Sequence, residues 1–131
     1  MSDGVSKGDG YAVAQLDDLG DGPGFRKIRK ELGVTAFGVN AIVLPPSYAT
    51  GSHYHDEQEE LYFVHSGQVE FEFGDGSTQQ LGPGGLAWVD APTPRKVRNV
   101  SDSEDAVYVV IGGKDGYVGR DGKLSEGETH R

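Results

Sequence analysis

Cysteine is absent from this 131-residue chain, which excludes disulfides, thiolate metal ligands and a cysteine nucleophile. Long apolar runs are missing too. The longest, Ala106-Val-Tyr-Val-Val-Ile111, is far short of the ~20 residues a membrane-spanning helix needs. Basic side chains are scarce: 12 Lys and Arg against 21 Asp and Glu leave a net charge of −9. That balance disfavours nucleic acid and anionic membrane surfaces as partners. Residues 1–10 carry no apolar stretch of the signal-peptide kind, so a cytoplasmic protein is expected. No Gly-x-Ser-x-Gly element occurs, and the glycine-rich Leu81-Gly-Pro-Gly-Gly85 leads into a strand pattern, whereas phosphate loops open helices. No internal repeat is visible.

What is plentiful is glycine, 21 residues spread without a collagen period, joined by 6 prolines. They punctuate short β patterns. Gln68-Val-Glu-Phe-Glu-Phe73 alternates strictly, with Val69, Phe71 and Phe73 on one face. The turn Gly74-Asp-Gly76 and a return over Ser77–Leu81 make a hairpin. Further strands are predicted at Ala36–Leu44, Glu60–His65, Leu86–Val89, Arg95–Val100 and Ala106–Ile111. Breaks every ~8–12 residues are the rhythm of an antiparallel sandwich or barrel. One stretch reads as helix: Phe25, Ile28 and Leu32 share a helical face, with Pro23 near the start and Gly33 after the end. Length suits a single domain. The expected division is a flexible tail over 1–10, the barrel over 11–112 and a glycine-rich tail over 113–131.

The informative segment is Gly51-Ser-His53-Tyr-His55-Asp-Glu-Gln-Glu-Glu60-Leu-Tyr-Phe-Val-His-Ser-Gly67. Two histidines one residue apart on a strand point to the same face. A carboxylate from a neighbouring strand can meet them. Two imidazoles and one carboxylate form a three-ligand set for Fe(II), Mn, Ni, Zn or Co, with positions left for water or substrate. By parity Tyr62 shares the inner face with Glu60, while His65 points outward. Tyr54 reads as a packing residue, Trp88 as a core or dimer-interface aromatic, and Asp56, Glu57, Gln58 and Glu59 as a solvated loop. His130 falls in the tail.

The segment resembles the first motif of the cupin superfamily, G-x5-H-x-H-x3–4-E-x6-G. His53, His55, Glu60 and Gly67 match in order and spacing; the leading glycine falls at Ser47, and Glu59 fits the shorter spacing. Gly82 to Asn99 resembles the second motif, G-x5–7-P-x-G-x2-H-x3-N, anchored by its turn and by Asn99. The motif's histidine falls at Arg95, and its proline and glycine at Asp90 and Pro92. The resemblance implies an all-β, double-stranded jelly-roll barrel with at most one short N-terminal helix. It also implies a homodimer and a small-molecule site inside the barrel, near one mouth.

Within that expectation His53, His55 and Glu60 hold a divalent metal (Fe, Mn, Ni or Zn), and no organic cofactor is called for. Arg95 and Tyr62 are the expected substrate-binding residues, with Phe71 nearby. Catalytic residues are not assigned. A guanidinium cannot ligate and repels a divalent ion. Arg95 therefore swings away, meets an anionic substrate or pairs with Glu60. An anionic substrate between it and the metal gives a metal-dependent oxygenase or isomerase acting on a small organic acid. The alternative is a metal-free binding module in which Arg95 pairs with Glu60 or with an anionic ligand, without catalysis, and a metal-free acid–base isomerase using a histidine beside a carboxylate is a third reading.

Overall fold

The structure is a computed structural model and describes residues 4–119, 121–126 and 128. Among the described residues, twelve strands, one α-helix and a 3-10 turn at Leu16–Leu19 follow in order: β1 Ser6–Gly8, β2 Tyr11–Val13, β3 Gly24–Arg26, α1 Ile28–Leu32, β4 Gly38–Leu44, β5 His53–His55 and β6 Glu59–Ser66. Then come β7 Val69–Phe73, β8 Thr78–Leu81, β9 Leu86–Val89, β10 Arg95–Asn99, β11 Ala106–Gly113 and β12 Gly122–Leu124. Two five-stranded sheets form, one in the order β12-β5-β10-β7-β8 and the other β3-β4-β11-β6-β9. All their pairings are antiparallel. The all-β jelly-roll expectation is met.

Alternation decides which face each strand buries. In β6, Glu60, Tyr62 and Val64 are buried while Glu59, Leu61, Phe63 and His65 are exposed. In β7, Val69 and Phe71 are buried. These side chains meet Leu44, Val89, Val97, Ala106 and Tyr108 in one core between the sheets. Tyr62 packs edge-on against Phe71, with ring centroids 5.1 Å apart. Fully buried Asn99 is a polar anchor: its amide donates to the carbonyls of Leu44, Pro45 and Glu104, and its oxygen accepts the Ser101 N–H. One side chain thus ties the end of β4 to the β10–β11 turn.

Two backbone positions explain motif glycines. Gly67 has φ +80°, and a Cβ there would stand 2.7 Å from the Ala106 Cα. Ser47, where the motif has glycine, keeps the left-handed φ of +63°. The turn retains the conformation although the residue departs, at a cost of about 1 kcal/mol.

The helix needs correction. Only Ile28–Leu32 is helical, and Phe25 lies in β3, opposite Ile42 of β4. So short a helix is marginal alone, whereas the β3 segment gains a ladder on an existing sheet edge. Residues 6–13 form a two-stranded hairpin. β11 runs to Gly113, and β12 pairs with β5 in the register Gly122↔His55. His130 lies outside the described residues. No helix among those described is long and apolar enough to cross a membrane.

Candidate metal and ligand site

The site joins the two sheets. β5 brings His53 and His55 from one sheet, and β6 brings Glu60 from the other. One ligand atom from each of the three lies within 4.8 Å of the other two. They sit in a cavity of about 560 Å³, within the usual range for small-molecule sites. Tyr48, Gln58, Tyr62 and Tyr108 share its wall with apolar Ile42, Leu44 and Val110.

Glu60 is the hub. Its Oε1 accepts the Tyr62 hydroxyl at 2.8 Å and lies 3.2 Å from His55 Nε2 and 3.5 Å from Arg95 Nη1. Its Oε2 accepts from Gln58 Nε2 at 3.2 Å. Burial works to raise the Glu60 carboxyl, but hydrogen bonding and charge from His55, the Tyr62 hydroxyl and the Arg95 guanidinium outweigh it. The net shift is downward. Burial and the adjacent Glu60 charge push the Tyr62 phenol well above its ordinary value, so it keeps its proton and stays a donor. Glu59 is outside, accepting the Trp88 indole N–H at 2.6 Å, so Glu60 is the inward carboxylate.

The donor set fits a divalent ion. Two imidazoles and one carboxylate converge, and His55 Nε2 is buried without a hydrogen-bond partner, aimed at Glu60. The cluster spans a little more than ligand atoms around one ion do, which side-chain rotation accommodates.

The Arg95 side chain has no exposed surface. Nη2 donates to the Asp90 carbonyl at 2.6 Å, and Nη1 lies 3.5 Å from Glu60 Oε1. Phe71 lies beneath Tyr62, off the cavity wall.

Two site residues escaped the sequence reading. Gln58, read as a solvated loop residue, turns its amide inward between Glu60 Oε2 and His55 Nδ1, the latter at 3.1 Å. Gly112 makes room for it, since a Cβ there would meet the Gln58 Cδ at 3.1 Å. Asp121, read as tail, is buried with Oδ2 3.8 Å from His55 Nδ1. Burial works to raise its carboxyl, and the backbone N–H groups of Gln58 and Glu57 bring the net below the ordinary value. The residue type of Gln58 signals nothing alone, and Asp121 follows nine residues without a strand pattern.

A two-sheet barrel with an imidazole–carboxylate cluster inside is a cupin-type architecture. The Cupin domain family model matches residues 41–112, more than half of the chain, and the protein belongs to that family. No curated protein matches the sequence. A solved cupin protein from Bacteroides fragilis aligns over 92% of both chains at 23% identity, with a TM-score of 0.68. A sugar phosphate isomerase of the cupin superfamily from Silicibacter pomeroyi is 26% identical over 78% of this chain and 64% of its own, with a TM-score of 0.65. A DMSP lyase structure is 27% identical over 69% of this chain, with a TM-score of 0.60; the match spans 44% of the lyase.

Proposed function

We propose that this protein binds a divalent metal through His53, His55 and Glu60 and acts as a metal-dependent enzyme on a small oxygen-bearing molecule held in the barrel. The observation that carries this reading is the convergence of the three donor groups inside the cavity. A bound divalent ion would supply Lewis-acid polarisation of a ligand oxygen. The chain's own groups do the rest. Tyr62 and Gln58 hold the Glu60 carboxylate in a fixed orientation. Tyr48, Tyr108 and the apolar wall receive the body of the ligand and exclude water. The likenesses to a sugar phosphate isomerase and to a DMSP lyase support small-molecule chemistry, and the first of them supports the isomerase reading.

The second reading, a metal-free binding module, is favoured by one observation: Glu60 already has Arg95 at 3.5 Å, Tyr62 at 2.8 Å and His55 at 3.2 Å. Elemental analysis of untagged protein purified without chelator separates the two readings, beside a His53→Ala/His55→Ala control. Near-stoichiometric metal that vanishes in the control is the expected result. An empty site that also refuses added Fe, Mn, Ni or Zn selects the binding module.

A homodimer is part of this proposal. On the outer face of β11, β6 and β9, the rows Ile111–Leu61–Trp88 and Val109–Phe63–Leu86 lie side by side. Trp88 is 63% and Leu86 61% exposed, and Leu61, Phe63 and Ile111 are also exposed. Together they offer on the order of 500 Å² per copy, most of the ~800 Å² per partner of a standard interface. A flat apolar face of this kind suits a second copy related by a two-fold axis.

A further inference from the structure

We propose that Asp121 is a positioning residue for His55: from the C-terminal segment it decides which ring nitrogen of His55 is free to meet a ligand. The inference rests on the metal reading above. Asp121 immediately precedes β12, whose Gly122 pairs with His55 itself. Its Oδ2 accepts the backbone N–H groups of Glu57 and Gln58, each at 2.8 Å. The carboxylate therefore clamps the turn between β5 and β6, the two strands that carry the histidines and Glu60. The same oxygen stands 3.8 Å from His55 Nδ1.

His55 lies between two carboxylates, Asp121 on its Nδ1 side and Glu60 on its Nε2 side. Gln58 Nε2 has two protons and two neighbours able to accept them, Glu60 Oε2 and His55 Nδ1. Where Gln58 donates to Nδ1, the imidazole proton has to be on Nε2. Ligation by Nε2 requires the proton on Nδ1 instead: one N–H bond is lost, another forms, and the ring stays neutral. Asp121 supplies the negative charge that favours this form. A metal-bound histidine generally donates its second N–H to a carboxylate, carbonyl or water, and losing that partner weakens metal binding. Asp121 is the carboxylate on the Nδ1 side, 3.8 Å away and within hydrogen-bond reach once the ring turns toward it, on a segment outside the family match.

The strand itself has other fastenings. Ser125 N–H donates to the Ser52 carbonyl at 2.9 Å, the Ser52 and Ser125 hydroxyls are 2.9 Å apart, and Lys123 pairs with Asp56 at 3.2 Å. Asp121→Asn keeps an oxygen for Glu57 and Gln58 while removing the charge beside Nδ1. In chelator competition with zinc on the full chain, Asp121→Asn is expected to bind ~10–100-fold more weakly than the parent, while still unfolding cooperatively in the metal-free state. Long-range ¹H–¹⁵N spectra of the zinc-loaded proteins should show His55 metal-bound at Nε2, with its Nδ1–H resonance moved upfield in Asp121→Asn relative to the parent, a change that a purely structural role does not produce. Affinity within twofold of the parent, an unmoved Nδ1–H resonance, or an unprotonated Nδ1 in the loaded parent overturns the inference while leaving the metal site standing. If the variant does not fold, Asp121→Ser takes its place in both measurements. A parent that takes up no zinc overturns the metal reading and this inference with it.

Discussion

Replacing Arg95 tests how the site balances its charges. In the structure the guanidinium is fully buried, with Nη1 3.5 Å from Glu60 Oε1. At an effective dielectric of ~20, unit charges at that separation attract by about 5 kcal/mol. A divalent ion on Glu60 meets the same guanidinium with opposite sign and twice the charge. Even at twice the separation, the repulsion is again about 5 kcal/mol. Removing the charge should therefore favour metal on two counts: repulsion is relieved, and Glu60 loses a competitor. Arg95→Met removes the charge and keeps most of the volume; Arg95→His also adds a nitrogen at the position where the family motif has its fourth ligand. Zinc affinity by chelator competition should rise in the order parent, Arg95→Met, Arg95→His, with at least tenfold between the ends. Metal-free stability should move the other way. Breaking one side of a buried pair costs about 3–5 kcal/mol, and the Tyr62 and Gln58 hydrogen bonds remaining on Glu60 point to the lower end. A melting-temperature drop of about 10 °C follows, recovered on adding zinc. Equal zinc affinities across the three proteins, with unchanged melting, would refute the claim that Arg95 governs Glu60.

Backbone strain offers a sharper stability test. Ser47→Gly should raise stability by about 1 kcal/mol in urea titration, because Ser47 holds a left-handed φ; Gly67→Ala should cost more than 2 kcal/mol, because its Cβ would meet the Ala106 backbone as well. A Ser47→Gly protein no more stable than the parent refutes the strain assigned there. Asn99→Ala leaves the Leu44, Pro45 and Glu104 carbonyls without their shared donor and should cost about 3 kcal/mol, read from the same titration. The carboxyls of Glu60 and Asp121 are both held below their ordinary values. Unfolded protein therefore binds more protons than folded protein in acid, so their contribution is complete above pH ~4.5 and fades as pH falls below it. Melting temperature against pH should fall less steeply for Asp121→Asn than for the parent between pH ~4.5 and 3; parallel curves count against this assignment. Leu86→Lys/Trp88→Lys should convert the dimer to a monomer in sedimentation velocity without loss of the fold, and a parent that already sediments as a monomer ends the dimer proposal.

Much of the barrel was legible because strand parity is local. Gln68–Phe73 alternates in sequence, and Val69 and Phe71 go to the core. The same period-two rule put Glu60 and Tyr62 inside and His65 outside, and the spacing of His53, His55, Glu60 and Gly67 carried the family resemblance that the Cupin domain match bears out. Helix and ends were less legible. Phe25 fits a helical face as well as a strand, and the presence of β4 as a pairing edge decided the matter.

The residues alone thus determined the class of fold, which face each long strand buries, and that two imidazoles and a carboxylate point into one barrel. Tertiary structure alone decided what surrounds them. Arg95 stands directly opposite His53 in the β5–β10 pairing, yet its long side chain runs behind Glu60 to the Asp90 carbonyl, a path that only the neighbouring sheet defines. Gln58 turns inward because Gly112, far along the chain, has no side chain to block it. Asp121 reaches His55 because β12 closes on the free edge of β5. Side-chain direction along a strand follows from local stereochemistry; which distant groups meet across sheets follows from register and closure, and these are settled only when the whole barrel assembles.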